Sequence, residues 1–433
     1  MKLLLRILLD AMYLVGLVLY SPVLLYRIFV VGKDRHGWSE RFGSVPRRES
    51  GRPAVWIHAV SLGEANATVK LVEQLRAALP EFDLAISTTT DTGSARVAQL
   101  HPQAIRFRFP LDFSPVVRRV FNRIRPTVIV LMELEVWPNL TAQAARRNVP
   151  VIVVNGRLSP RSFARYRRFL PLVRPMFRRL AAVCAQSDLY ADRFAALGVP
   201  AGRVSVTGSV KYDTATVANR VAGQDELAAA MGLRGEHVML LGGSTGPGEE
   251  EILLRVFRGL SAKHPAVRLA IVPRKPERFA EVAGLIERAG FRCWRRSQHG
   301  DGQSAADWPA DIVVLGDTMG ELRKFYALAQ VAFVGRSLAP MGGSDVMEAA
   351  ALGRAVLVGP HTENFAEPVE RLVSAGGLVV VRDEAHLVGE VDRLLADASA
   401  RAAMGRSARA AVQAAQGATA RTVAVIQKMF GTI

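Results

Sequence analysis

The chain has 433 residues, half of them hydrophobic, and carries a net charge of +17. Such a length leads us to expect two domains with sizeable cores, and such a charge favours an anionic partner: nucleic acid, anionic lipid or a phosphorylated substrate. The two cysteines, Cys184 and Cys293, lie far apart without metal-ligand spacing. They exclude a disulfide framework and point to a reducing compartment.

The chain opens on an apolar stretch, residues 3–31, broken by Arg6, Asp10 and Arg27. Its uncharged part, residues 11–26, would span about 24 Å as a helix, which is marginal for crossing a bilayer. No small-x-small cleavage site follows, which argues against a cleaved signal peptide. A buried soluble helix has the same length, but a membrane anchor, spanning or lying in the interface, fits best. Arg27, Lys33 and Arg35 follow, with Arg41, Arg47 and Arg48 beyond, so the domain after the anchor is expected on the cytoplasmic side. Asp10 favours an interfacial or protein-packed helix.

After the anchor, strand and helix patterns alternate. Apolar runs at 54–58, 83–87, 105–109, 127–132, 149–154 and 181–185 read as strands of a first half. After a pivot near 207–224 the pattern restarts at 238–241, 268–272, 311–315, 331–334, 355–358 and 377–381. A last helix, 418–429, could cross back to the first half. Short apolar runs between helices indicate parallel sheets covered on both faces. The expected fold class is α/β, with two Rossmann-like doubly wound domains facing a cleft, the glycosyltransferase-B architecture. Dehydrogenases, epimerases and periplasmic binders share such layouts, so fold alone leaves function open.

Polar residues collect at the strand ends. In the first half Ser61, Gly63 and Glu64 follow one strand, and Glu133 and Glu135 follow another beside Trp137. A helix cap or an ion pair would explain these carboxylates as well as a functional role would. Glu40 lies just after the anchor beside Arg41, and by charge alone reads as a surface ion pair. Eight arginines fall between Arg157 and Arg179, Arg161 among them, interleaved with Phe163, Tyr166, Phe169, Leu172 and Phe177. A solvated helix face is the ordinary meaning; near an anchor the run suits anionic head groups or a phosphorylated acceptor.

In the second half Gly242-Gly-Ser244-Thr-Gly246 precedes Glu249-Glu-Glu251, and suits a phosphate, the pivot of the cleft or an ordinary capped turn. Arg274 and Lys275 end a strand, where two cations can neutralise a leaving phosphate; a solvated basic turn is the alternative. Gly342 and Gly343 let the backbone approach a ligand closely. A helix expected at 346–352 then offers free N–H groups, and Glu348 in its first turn can reach ribose hydroxyls.

Five motifs together resemble the 3-deoxy-D-manno-octulosonic acid (Kdo) transferases of lipopolysaccharide synthesis. They are His58-Ala-Val-Ser-Leu-Gly-Glu64, Glu133-Leu-Glu-Val-Trp-Pro-Asn139, Thr207-Gly-Ser-Val-Lys-Tyr-Asp213, Val272-Pro-Arg-Lys-Pro-Glu-Arg-Phe279 and Gly359-Pro-His-Thr-Glu-Asn-Phe365. With Trp38-Ser-Glu-Arg-Phe-Gly43 the resemblance covers nearly the whole chain. It implies inverting transfer of Kdo from CMP-Kdo to a tetraacyl, bisphosphorylated lipid A precursor, at the cytoplasmic face of the bacterial inner membrane, with no cofactor and no metal. It implies that Glu40 is the general base, that Glu133 is essential on the acceptor side, and that Arg274, Gly342, Gly343, Glu348 and Asn364 serve CMP. The expected organisation is an anchor at 1–32, an acceptor domain at 33–210, a linker at 211–225, a CMP-Kdo domain at 226–415 and a returning helix at 416–433. The sequence departs from the family's usual pattern at Lys275 (commonly histidine), which keeps and strengthens the positive charge, and at Arg336 (glycine) and Ser344-Asp345 (His-Asn), which put the phosphate and cytosine contacts in question. The alternatives are a related membrane-associated enzyme using a UDP-sugar, and a non-catalytic basic tether. The tether would not explain glycines and carboxylates at strand ends, and no nucleic-acid-binding motif with aromatic stacking positions is present.

Overall fold

The computed structural model describes residues 3–30, 36–79, 81–300, 305 and 307–430. Lys33 and Arg35 of the basic flank, and the side chain of Arg27, lie outside that description. The chain folds into two compact units, Met1–Thr214 with Gln416–Ile433, and Ala215–Ala415.

The first unit begins with α1 (Leu3–Phe29) and a short α2 (Trp38–Arg41). Then β1 (Ala54–His58), α3 (Leu62–Ala78), β2 (Asp83–Thr88), α4 (Asp91–Leu100), β3 (Ile105–Arg108) and α5 (Ser114–Ile124) follow. Next come β4 (Val128–Met132), α6 (Pro138–Arg146), β5 (Val151–Gly156), α7 (Pro160–Arg168), α8 (Leu170–Arg178), β6 (Ala182–Ala185), α9 (Asp188–Ala196) and β7 (Val204–Val206). The sheet order is β3-β2-β1-β4-β5-β6-β7, parallel throughout. Successive residues of β1 face opposite sides: Trp56 joins Phe121, Leu131 and Val153 in one core layer, while Val55 and Ile57 join Leu71, Val130 and Ile152 in the other. Burial on both faces is why these strands read as unbroken apolar runs.

The second unit contains α10 (Gln224–Met231), β8 (Val238–Thr245), α11 (Glu249–Ser261), β9 (Val267–Pro273), α12 (Phe279–Arg288), β10 (Arg292–Arg295), β11 (Ile312–Leu315) and α13 (Leu322–Leu328). It continues through β12 (Val331–Val334), α14 (Met347–Ala351), β13 (Ala355–Val358), α15 (Ala366–Ser374), β14 (Leu378–Val380), α16 (Glu384–Ala396) and α17 (Ala398–Ala415). Its sheet order is β10-β11-β9-β8-β12-β13-β14, again parallel. The last helix, α18 (Ala418–Phe430), belongs to the first unit, where Ala418, Val423 and Ile426 complete the core layer beside α3.

Four sequence expectations need correction. The first sheet does not close at residue 185, because β7 adds a seventh strand. The second gains β10, an edge strand of Arg, Cys, Trp and Arg without an apolar run. The segment Gly242–Thr245 is not a turn but the end of β8, with a register shift between Gly243 and Thr245. Added Cβ atoms at Gly242 and Gly243 would strike Leu253 and Tyr326, so both glycines serve packing. Lastly, the helix expected over 346–352 is the five-residue α14. Both cysteines are free, Cys184 buried and Cys293 partly so.

Candidate active site

In each unit the strand order reverses beside its first strand: between β1 and β4, and between β8 and β12. The loops leaving the carboxyl ends of these pairs diverge there, and such a switch point is where doubly wound sheets bind ligands. Ser61, Glu133, Gly342 and Gly343 stand on these loops, Gly63, Glu64 and Glu348 at the starts of the helices they lead into, and Ser244 at the end of β8; Arg157 and Arg161 follow β5, Arg274 and Lys275 follow β9, and Asn364 follows β13.

In the first unit, Ser61 caps α3 through a bond from the Glu64 N–H. The Glu64 carboxylate reaches back to the Val60 N–H at 2.9 Å and the Ser61 hydroxyl at 3.1 Å. This resembles a capping box, with the carboxylate on the N–H of the residue before the cap, and gives both residues a local structural role. Gly63 is not required by its backbone; an added Cβ would meet only Ser61 Oγ, at 3.9 Å. Burial pushes the Glu64 carboxyl up to about 7, with Glu133 and Glu135 adding repulsion against the bonds from Val60 and Ser61. Three carboxylates therefore gather at the β1–β4 switch point. Glu133 sits at φ 58°, a left-handed conformation that is costly for a side-chain-bearing residue. Lys211 Nζ lies 3.5 Å from it. Glu135 accepts from Trp137 Nε1 at 3.0 Å. Burial raises its carboxyl, as does Glu133. His58, at the end of β1, is fully buried and stacked on Phe109. Burial pushes its imidazole down to about 3, so it is neutral at physiological pH.

Glu40 stands apart from that cluster, on α2. It accepts the Arg108 N–H at 2.8 Å, which fixes one carboxylate oxygen at the end of β3. Arg41 turns elsewhere: its guanidinium donates to the Thr89 carbonyl at 2.7 Å and lies over Trp38.

The N-terminal helix is docked on the same unit. Asp10 accepts from the Ser114 N–H at 2.9 Å and from Asn139 Nδ2 at 3.0 Å, and also bonds the Ser114 hydroxyl. These donors cluster at the start of α5 and α6, where free N–H groups favour an anion. Tyr13 packs edge-on against Phe113. Leu9, Asp10, Tyr13 and Leu17, at helical spacing, are half-buried, while Leu14, Val18 and Leu19 are exposed. Among the described residues this is the one helix long and apolar enough to cross a membrane, over Arg6–Tyr26. The arginine run occupies α7 and α8 and the loop before them. Arg157, Arg161, Arg165, Arg167, Arg168, Arg174 and Arg178 are exposed. The interleaved aromatics divide: Phe177 is buried and Phe163 and Tyr166 pack on the core, whereas Phe169 and Leu172 point outward among the arginines.

In the second unit, Glu249 at the start of α11 organises the switch point. It is 1% exposed. Its carboxylate accepts the N–H groups of Gly246 (2.9 Å), Arg336 (2.6 Å), Ser337 (2.8 Å) and Leu338 (2.9 Å), so it binds the β8 and β12 loops together. Arg278 pairs with the wholly buried Glu250 at 2.6 Å. Ser244 (φ 54°) and Arg336 (φ 60°) both adopt left-handed conformations. Gly342 and Gly343 have φ of 81° each, which glycine alone adopts at no steric cost. The Gly343 N–H donates to the Arg336 carbonyl at 2.7 Å, and the Asn364 N–H to the Gly342 carbonyl at 3.1 Å. Asn364 is thus carried against the glycine pair, with its side chain in the space a Gly342 Cβ would take. Asp345 accepts from the Met347 N–H at 2.8 Å, just before α14. Glu348 is raised by desolvation and by Asp345, and lowered by Arg323 and Arg274. Arg274 and Lys275 are exposed on the loop after β9. Among the described residues no group of three His, Cys, Asp or Glu side chains is placed to hold a metal ion.

Sequence reasoning missed Glu249, which reads as one of three glutamates favouring a helix start, and the partners of Asp10 and Glu40, which lie far away in sequence.

Two parallel α/β units of this topology define the glycosyltransferase-B fold. A glycosyltransferase from Rickettsia africae has the same fold, with a TM-score of 0.55 at 12% identity, over 88% of this chain and 99% of its own. Residues 36–214 match the family model described as 3-Deoxy-D-manno-octulosonic-acid transferase (kdotransferase). The 3-deoxy-D-manno-octulosonic acid transferase of Haemophilus influenzae is 34% identical over 398 residues, 91% of either chain. That of Bordetella pertussis is 36% identical over 403 residues, 90% of this chain and 91% of its own. The chain belongs to the 3-deoxy-D-manno-octulosonic acid transferase family, and the Kdo-transfer expectation from the sequence holds.

Proposed function

We propose that the chain transfers Kdo from CMP-Kdo to a hydroxyl of a tetraacyl, bisphosphorylated lipid A precursor, with inversion at the anomeric carbon. The observation that carries this reading is the match to Kdo transferases over nine-tenths of the chain, through both units. The first unit takes the acceptor and the second takes the donor.

Glu40 accepts the proton of the attacking hydroxyl. Its bond from the Arg108 N–H holds the carboxylate in place for that task. As the new carbon–oxygen bond forms, the bond from the anomeric carbon to the CMP phosphate breaks, and CMP leaves with one more negative charge. Arg274 and Lys275, exposed at the end of β9, offset that charge. The Gly342-Gly343 turn and Asn364 hold the nucleotide, Glu348 takes ribose hydroxyls, and Ser244 lies at the same switch point. Glu133, held at φ 58° beside Lys211, orients the acceptor together with Ser61, Gly63 and Glu64. Arg157 in the loop before α7 and the arginines of α7 and α8, Arg161 included, face acceptor phosphates and anionic head groups; Phe169 and Leu172 among them suit an interface. With α1 they hold the enzyme on the cytoplasmic side of the inner membrane.

The test is incubation of the purified full chain with a tetraacyl lipid A precursor and CMP-Kdo generated in situ, read by mass spectrometry. Addition of one or more Kdo masses is expected. Transfer from a UDP-sugar, with none from CMP-Kdo, would overturn the donor assignment.

A further inference from the structure

A cavity of about 480 Å³ lies in the first unit between α1 and the loops at the ends of β1, β3 and β4. Met12, Gly16 and Leu17 of α1 line it, with Phe109, Leu111 and Phe113 from the β3–α5 connection. We infer that this cavity houses one acyl chain of the acceptor lipid, an inference that rests on the Kdo-transfer reading above.

Four observations support it. First, its volume is that of a chain of roughly sixteen methylenes, taking about 30 Å³ each, near the volume of a water in the liquid. Its apolar walls give water few partners, so a hydrocarbon is the fitting occupant. Second, Gly16 lines the space. A Cβ built there meets nothing within 4 Å, so the position of this glycine, a poor helix former in mid-helix, is open and a large side chain there could reach into the cavity. Third, α1 continues outward as an exposed apolar surface, with Val15 59%, Val18 62% and Leu19 76% exposed, so a chain can pass between bilayer and cavity without crossing water. Fourth, the polar part of the lining adjoins the candidate base. Arg41 and Thr89 line the cavity, Arg41 follows Glu40 on α2, and Arg108, which holds Glu40, precedes Phe109. A lipid with one chain in this cavity presents its sugar near Glu40.

The site therefore selects an acylated acceptor through its chain, and α1 is a wall of the acceptor site as well as an anchor. The experiment uses the full chain in nanodiscs of phosphatidylethanolamine and phosphatidylglycerol. An acceptor analogue with a photoreactive diazirine at the end of one acyl chain is crosslinked and the labelled peptides are mapped. Labelling within residues 12–20 or 109–113, displaced by unlabelled acceptor, is expected. Labelling that a phospholipid diazirine reproduces and the acceptor does not displace would overturn the inference. In parallel, kcat/KM is measured on acceptors with progressively shortened chains. Loss of up to about fourfold per methylene removed is expected in the native chain. Gly16→Leu should lose about tenfold on the full-length acceptor through KM rather than kcat, with Gly16→Ala in between. Identical chain-length profiles for native and Gly16→Leu would also overturn it. Failure of Kdo transfer to every acceptor would instead refute the proposed function beneath it.

Discussion

Replacing Glu249 by alanine removes the acceptor of four backbone N–H groups at the β8–β12 switch point. Each orphaned buried donor costs about 1–3 kcal/mol, and water entering the vacated space recovers part of this, so the net loss is about 4 kcal/mol. For a unit of about 200 residues that lowers the thermal midpoint by roughly 8–16 °C. The more telling variant is Glu249→Gln. One carboxylate oxygen serves Gly246 and Arg336, the other Ser337 and Leu338. The amide of Gln keeps one pair and turns an NH₂ toward the other pair of donors. Near-isosteric as it is, it should destabilise almost as much as alanine and weaken CMP binding, because the Arg336–Leu338 backbone moves. Differential scanning calorimetry of the full chain, with CMP titration calorimetry, reads both. A Gln variant melting within about 2 °C of the native chain would refute the reasoning.

Other outcomes are expected. Glu40→Gln keeps an oxygen for the Arg108 N–H but cannot take a proton, so turnover should fall by about 10²–10⁴ while CMP binding stays unchanged; native-like turnover would remove Glu40 as the base. Because the Glu64 carboxyl is raised to about 7, the folded chain keeps that proton where the unfolded chain has lost it. Its contribution to stability is present at low pH, declines as pH rises from about 4.5 to 7, and is flat above. Denaturant midpoints across that range should show the decline in the native chain and a smaller one in Glu64→Gln. At Arg336, with φ 60°, glycine should hold or raise the thermal midpoint, whereas Arg336→Val should lower it by about 1–2 kcal/mol of stability, measured by urea unfolding.

The sheet interiors were legible in the sequence because a strand buried on both faces has to be apolar throughout, as Val128–Met132 and Ala355–Val358 are. The edges were not. Strand β10 exposes one side, so its arginines are compatible with a strand yet carry no apolar signal. Gly242 to Thr245 read as a turn because glycine and serine ordinarily mark one; here they are small for the sake of Leu253 and Tyr326. On the site, the positions of the glycine pair and of Glu133 followed from strand ends. The left-handed backbone of Arg336 was foreshadowed only by the family resemblance, which places glycine there. The role of Glu249 and the partners of Asp10 stayed hidden because most of Glu249's partners lie nearly 90 residues away and those of Asp10 lie 104 and 129 residues away, and pairing over such distances leaves no local pattern.

The docking of Asp10 also sets an order of assembly. During synthesis α1 emerges with its carboxylate long before Ser114 and Asn139, which lie 104 and 129 residues downstream. At typical elongation rates that interval is on the order of 5–25 s. Throughout it, full insertion of α1 would bring Asp10 toward hydrocarbon at a cost of about 3 kcal/mol. On the proposed membrane reading, that cost favours a nascent helix lying at the bilayer surface, where the folding domain closes onto it. In that reading the enzyme assembles on the membrane face that presents the proposed lipid acceptor.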